Sequence, residues 1–299
     1  MGTSMTSEPF VLAFGDNVVD CYSDEKVMYP GGNCVNLAAF ARRAGARSAY
    51  AGAVADDAAG RAIRDALARE GVDVSRLRFL PGATAYCVIE LQDGDRVFAG
   101  ANLGVSIIAP ETADLEFARQ VDALHTGRSS HIDAWIPLIA GLTRVSYDFA
   151  TIRDRAHIAP LAKHCFLAAF SGGDLGRDDA LALAEFTRDA GAQWVLVTLG
   201  DRGALLLGAC GLSVVPAAIV APVDTLGAGD SFIARTLVGL LRAEAPEEAL
   251  AAAAQTAALT CLAKGGFGHE SPMDVDISTA MTIDEIYRTT KPAPSPVDA

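Results

Sequence analysis

Several common signatures are missing from this 299-residue chain. It has no G-x-x-x-x-G-K-[ST], which excludes a P-loop route to nucleotide phosphates. It has no G-x-G-x-x-G after its first apolar strand, as a dinucleotide-binding fold would want. Its six cysteines (21, 34, 87, 165, 210 and 261) include no C-x-x-C pair. Neither zinc nor a disulfide framework is therefore expected, and a reducing cytoplasm is. His125, His131, His157 and His164 lack ligand spacing and read as ordinary surface or core histidines. Bases are scarce beside acids, 24 against 37, and the net charge of −13 repels nucleic acid and anionic membrane surfaces. No apolar run is long enough to span a bilayer, so no membrane association is expected, nor a signal peptide. Met1–Thr6 fits the short myristoylation pattern but reads as a disordered start. No internal repeat is present.

What is there belongs to a globular protein. Hydrophobic residues make up 51% and charged residues 20%, enough to bury one large α/β domain or two small ones. Phe10–Phe14 is a short apolar strand, and 121–126, 145–150, 166–170 and 194–199 read as further strands. Helical patterns fall between or after them, at 33–44, 177–190, 230–242 and 246–264. Alternation of this kind predicts a doubly wound, mostly parallel sheet. Thr84–Leu91 and Asp95–Ala99 flank Gln92-Asp93-Gly94 and predict a hairpin. Arg96 follows that turn; a solvated edge cation is its plain reading.

The chain is organised around Val223-Asp-Thr-Leu-Gly-Ala-Gly-Asp-Ser-Phe-Ile-Ala234. Gly227-Ala228-Gly229 opens a helix, where N–H groups lack intrahelical partners and the dipole favours an anion. A carboxylate there repels phosphate, so Asp230 is either a helix cap or a base that takes a proton from an attacking hydroxyl. Asp16, beyond the first strand, is either a turn former or an acceptor for two vicinal hydroxyls. Gly31-Gly32 permits a tight turn into the helix that carries Asn36.

Read together, these stretches resemble the ribokinase-like (PfkB) carbohydrate kinases. Residues 224–230 match the C-terminal signature D-T-x-G-A-G-D, and Gly31–Asn36 matches the N-terminal one. Gly52, Asp56, Gly60, Leu67 and Gly71-Val72-Asp73 extend the match, with Ala55 in place of one glycine. Thr198-Leu-Gly200-Asp-Arg-Gly203 matches the family's T-x-G-x-x-G turn. Three stretches depart from it. Arg235 stands where the signature usually has glycine. Ser171-Gly-Gly-Asp174 stands where N-x-x-E is usual. Gly127-Arg-Ser-Ser-His131 does not resemble its counterpart in the fructoselysine kinases.

The resemblance implies a ribokinase-like fold over residues 10–268, with a small β-sheet lid (about 18–28 and 84–100) and a C-terminal extension, 269–299, partly disordered. It implies an ATP-dependent sugar kinase with Asp230 as base and the Gly227, Ala228 and Gly229 amides as anion hole. Asp16, Gly32 and Asn36 would hold the sugar. Thr198, Gly200, Gly203, Gly265 and Gly266 would hold the nucleotide. Mg2+ would accompany ATP, with Asp174 near it, and K+ is an alternative companion beside Asp224. A homodimer through the lid is expected. Within the family, residues 15–20, 31–36, 94–98 and 225–234 look most like bacterial fructoselysine kinases. That likeness implies 6-phosphorylation of a ketosamine, with Arg96 binding the carboxylate of the joined amino acid. Ribose, fructose or a ketodeoxy sugar acid are alternative substrates, and a non-catalytic sugar or nucleotide sensor is an alternative function.

Overall fold

The structure, a computed structural model, describes residues 8–92, 95–282, 285–286, 288 and 290–296; the side chains of 91–97 lie outside the description. The hairpin turn at Asp93-Gly94 and the start Met1–Thr6 therefore fall outside the described residues, as does part of the Thr282–Tyr287 turn.

The chain begins with β1 (Phe10–Phe14), β2 (Val18–Tyr22), β3 (Val27–Gly31) and α1 (Asn33–Arg43). Then come β4 (Arg47–Val54), α2 (Ala58–Arg69), β5 (Asp73–Phe79), β6 (Tyr86–Gln92), β7 (Asp95–Asn102) and α3 (Thr112–Ala118). The middle is β8 (Ala123–Gly127), α4 (Ile136–Ala140), β9 (Arg144–Asp148), α5 (Arg155–Ala162), β10 (Cys165–Ser171) and α6 (Arg177–Asp189). It closes with β11 (Trp194–Thr198), β12 (Ala204–Gly208), β13 (Gly211–Val215), α7 (Ala228–Leu241), α8 (Pro246–Thr260) and β14 (Ser271–Pro272).

Among the described residues the large sheet has nine strands in the order β13-β12-β11-β10-β9-β8-β1-β4-β5. All pairings are parallel except β11 with β12 and β12 with β13. A parallel sheet must be covered on both faces, so its strands are apolar on both. In β1, Val11 and Ala13 enter the core under α1, α7 and α8, while Leu12 and Phe14 enter the one under α4, α5 and α6. The second core includes Phe149 stacked on Phe170, ring centroids 4.8 Å apart. Strand order reverses between β1 and β8, which opens a crevice at their carboxyl ends. No helix among the described residues is long and apolar enough to cross a membrane. All six cysteines are free thiols.

A second sheet, ordered β14-β3-β2-β6-β7, lies over that crevice. The C-terminal segment spans it. β14 pairs with the β3 edge, Met281 bridges Ala101 on the β7 edge, and between them Thr279 Oγ1 meets the Tyr86 hydroxyl at 3.0 Å. Part of the Pro-rich end, residues 291–296, lies among the described residues. Ala293 N–H donates to His131 O (2.9 Å) and Trp135 Nε1 to Pro294 O (2.6 Å), so apolar and hydrogen-bonding partners fix this stretch.

Arg235 fits the α7 packing through its neighbours. Its Nη2 donates to Glu244 Oε2 at 2.7 Å, and its guanidinium passes over Gly239, where a Cβ would come within 2.7 Å of Nη1. Both side chains of the pair are mostly buried. Arg235→Ala is expected to cost about 1–2 kcal/mol in reversible denaturation, the range for a charged hydrogen bond that is partly screened. Unchanged stability would show the pair to be idle.

Candidate active site

Gly32 sets the geometry at the start of α1. Its φ of 96° is open to glycine, and a Cβ would lie 2.8 Å from Asn17 Cα. This turn aims Asn33 and Asn36 at the start of α7. Asn36 Nδ2 donates to Asp230 Oδ2 at 2.7 Å and Asn33 Nδ2 to Asp230 Oδ1 at 3.1 Å. Gly227, the residue before α7, has φ 75°, and a Cβ there would come within 2.7 Å of Gly266 Cα. Both glycines thus serve close backbone packing around one carboxylate.

Three more acids face Asp230. Asp16 follows β1, its Oδ2 accepting from Asn33 N–H (3.0 Å) and its Oδ1 from the Ser130 hydroxyl (2.9 Å). Asp148 ends β9, its Oδ1 accepting from Ala150 N–H (2.8 Å) and its Oδ2 from Asn33 Nδ2 (2.9 Å). Asp20 lies on lid strand β2, 3% exposed and without a hydrogen-bond partner among the described residues. None of the four is ion-paired among the described residues. Burial, then the charge of Asp230, pushes Asp20 and Asp148 up to about 7. Burial and the nearby Asp16 push Asp230 up to about 6, against the pull of its two asparagine donors. Such a cleft accepts hydrogen bonds from hydroxyl groups, favours a cation, and holds one carboxylate poised to take a proton near neutrality.

On the other side of the α7 start lies a cavity of about 500 Å³. Thr198, Gly200 and Gly203 line one wall; Ala254, Ala257 and Ile219 give it apolar surface; Ala228 and Gly229 close it toward Asp230. Of the three expected anion-hole amides, that of Ala228 donates to Thr225 O at 3.2 Å, because the chain turns tightly there. The N–H groups of Gly227 and Gly229 have no acceptor among the described residues.

Five other expected site residues lie outside the cavity lining or outside the description. Gly265 and Gly266 do not line this cavity. A Cβ on Gly265 would strike the Tyr29 ring at 2.2 Å, and one on Gly266 would meet Asn36 Oδ1 at 2.7 Å, so both pack under the lid and beside Asn36. Asp224 is filled by protein donors: Leu226 N–H (2.8 Å) at Oδ1, and Tyr22 OH (2.5 Å) and Gly265 N–H (2.9 Å) at Oδ2. It joins lid, loop and helix through these donors. Asp174 is exposed and paired with Arg153 at 2.9 Å, away from any acidic cluster. The Arg96 side chain lies outside the described residues. Sequence reading missed Asp20, Asp148 and Asn33. Asp20 and Asn33 sit inside motifs already singled out, but Asp148 is a lone acid at a strand end.

Fold and site together define the ribokinase-like class. A family model described as pfkB family carbohydrate kinase matches residues 4–144 and 164–270. The fructosamine kinase FrlD of Bacillus subtilis (strain 168) is 36% identical over 267 residues, 88% of this chain and 94% of that protein. The fructoselysine 6-kinase of Escherichia coli (strain K12) is 34% identical over 234 residues, 77% of this chain and 88% of that protein. The structure of Arabidopsis thaliana ribokinase complexed with ribose and ATP aligns with a TM-score of 0.73 at 20% identity, over 88% of this chain and 95% of that one, a likeness of fold. The chain belongs to the pfkB family of carbohydrate kinases.

The buried acids bear on stability. Asp20 holds a proton in the folded chain at pH values where the unfolded chain has lost it. Its favourable share is therefore complete below about pH 4 and lost as pH rises through about 7. Asp20→Asn is expected to flatten part of that decline and to stabilise the chain at pH 8 by on the order of 1–3 kcal/mol. Denaturant titrations at pH 5 and 8 check it; an equal or lower stability of the variant at pH 8 contradicts the burial argument.

Proposed function

We propose that this chain transfers the γ-phosphoryl group of ATP to the 6-hydroxyl of a ketosamine, a fructose joined through nitrogen to an amino acid. The observation that carries the reading is Asp230, held by two asparagines between the acid cleft and the apolar cavity lined by Gly229, whose N–H has no acceptor among the described residues. In this reading Asp230 removes the hydroxyl proton as the oxygen attacks the γ-phosphorus, and the bond to the ADP oxygen breaks. The Gly227 and Gly229 N–H groups face the transferring phosphoryl oxygens. Asp16, Asp20 and Asn36 accept from and donate to the sugar hydroxyls, with Gly32 bringing the backbone close. Thr198, Gly200 and Gly203 border the nucleotide.

The choice of sugar rests on the two relatives named for fructosamines and on charge. A ketosamine nitrogen is an amine, positive when protonated, and the cleft around it is lined by acids. Arg96 is proposed from its sequence position to receive the amino-acid carboxylate. Among the described residues no three metal-ligating side chains are placed to hold an ion together, and in this reading Mg2+ would ride on the phosphates and water, neutralising their charge. No role is proposed for K+ at Asp224. A second copy of the chain is the proposed partner of the outer part of β7, where Phe98 is half exposed beyond the Met281 bridge.

Two measurements test these readings. In an ADP-release assay, a fructosyl-amino acid is expected to exceed fructose and ribose in kcat/KM, and Arg96→Ala to erase most of the preference. Asp230→Asn is expected to bind nucleotide normally and lose ~10²–10⁴-fold in turnover. Near-normal turnover by that variant would falsify the base assignment, whereas ribose as the best substrate removes only the ketosamine. For assembly, light scattering should find a dimer that Phe98→Lys dissociates; a monomer in both chains excludes the lid contact.

A further inference from the structure

Asp230 and Asp148 do not merely lie near each other. One primary amide bridges them: the two N–H bonds of Asn33 Nδ2 reach Asp148 Oδ2 at 2.9 Å and Asp230 Oδ1 at 3.1 Å. The amide cannot turn over without pointing its oxygen at two carboxylates. Its oxygen is already engaged, because His125 Nε2 lies 3.0 Å from Asn33 Oδ1. His125 is fully buried on β8, and its other nitrogen, Nδ1, lies 2.8 Å from Ser146 Oγ on β9. An acceptor at Asn33 Oδ1 requires the proton on Nε2, so Nδ1 accepts from the Ser146 hydroxyl. Donors therefore run in one direction: Ser146 to His125, His125 to Asn33, Asn33 to both acids.

We propose that Asn33, its amide fixed by the His125–Ser146 pair, is a positioning residue that couples Asp148 to Asp230, so that the base works as one of two amide-bridged carboxylates. This rests on the reading of Asp230 as the base. Two opposing effects follow. The Asn33 N–H favours the charged form of Asp230, while the mutual repulsion of the two carboxylates, which helps to hold Asp148 up, works against charging both at once. Burial keeps His125 neutral, its pKa pushed down to about 3, so the relay keeps one tautomer over the working range. The other groups around the pair are Asp16 after β1, Asp20 on β2 and Cys34 on α1, with His131 and Arg128 beyond Asp16. None of these bridges the two acids. The arrangement has a use in catalysis. An acid held by donors alone would be too weak a base, and an unbridged pair of acids would repel apart or share a proton. The amide lets both stay, with the oxygen of Asp230 fixed toward the cleft.

The test is the pH dependence of kcat, measured as ADP release with the fructosyl-amino acid, beside nucleotide binding as a report on folding. Asn33→Leu is expected to move the acidic limb up by about half a pH unit or more, and Asp148→Asn to move it down by a similar amount. Limbs that coincide with the unsubstituted chain, or that move the same way, overturn the proposal. His125→Phe should lower kcat about tenfold or more with nucleotide KM unchanged, and His125→Gln, which keeps a donor to Asn33, should restore most of it. Equal losses in the two His125 variants overturn the relay. Should Asn33→Leu fail to bind nucleotide, nitrogen NMR of the unsubstituted chain decides: a neutral His125 protonated at Nε2 from pH 6 to 8 supports the relay, and an Nδ1–H form sinks it. An Asp230→Asn chain that still turns over rejects the base itself, a result separate from unchanged limbs beside an inert Asp230→Asn chain.

Discussion

Four carboxylates in one cleft repel one another, and much of the surrounding chain exists to keep them there. Asp16 is pinned by Ser130 and the start of α1, Asp148 by Ala150 and Asn33, Asp230 by Asn33 and Asn36. Only Asp20 arrives without a hydrogen-bond partner among the described residues, and it is carried on the lid. The donors come from neutral groups: amides, a hydroxyl, backbone N–H. Neutral donors hold an acid in place while leaving its charge available, whereas an arginine or lysine would take that charge up. With neutral donors and with acids that burial pushes up to about 7, the cleft suits a ligand that brings hydroxyl groups or a positive nitrogen.

The same constraint explains why the parts lie where they do. Carboxyl ends of parallel strands meet at the reversal between β1 and β8, and three of the four acids, Asp16, Asp148 and Asp230, approach it from different elements. Helix α7 separates the acid cleft from the apolar cavity by a single turn of chain. Gly229 lines the cavity, while Asp230, the next residue, meets the asparagines of the cleft. An attacking group and an anionic donor can then be held on opposite sides of one short segment, each in surroundings suited to its charge.

Much of this was legible in the sequence. The apolar strands at 10–14 and 194–198 and the helix after Gly227 were readable because period and composition act locally. Asp148 was not readable: a lone acid closing an apolar strand looks like any turn residue until β9 is set beside β8. His125 looked like a core histidine, and it is one; its second role depends on Asn33, 92 residues away in the chain. The donors to Asp224 were equally out of reach: they include Tyr22 and Gly265, which no local pattern connects to it.

The segment after Gly268 makes hydrogen bonds to regions far from one another along the chain. It borders both edges of the lid sheet, then ends against the backbone of His131 and the indole of Trp135. His131 adjoins Ser130, the residue that orients Asp16. Described residues of one C-terminal stretch thus contact both the roof of the cleft and the loop that carries Ser130. Drift in these terminal residues, which touch none of the four acids, would be felt as a change in how tightly the enclosed space fits its contents. A tail of this kind is a tuning peg, open to variation at little risk to the chemistry it adjusts.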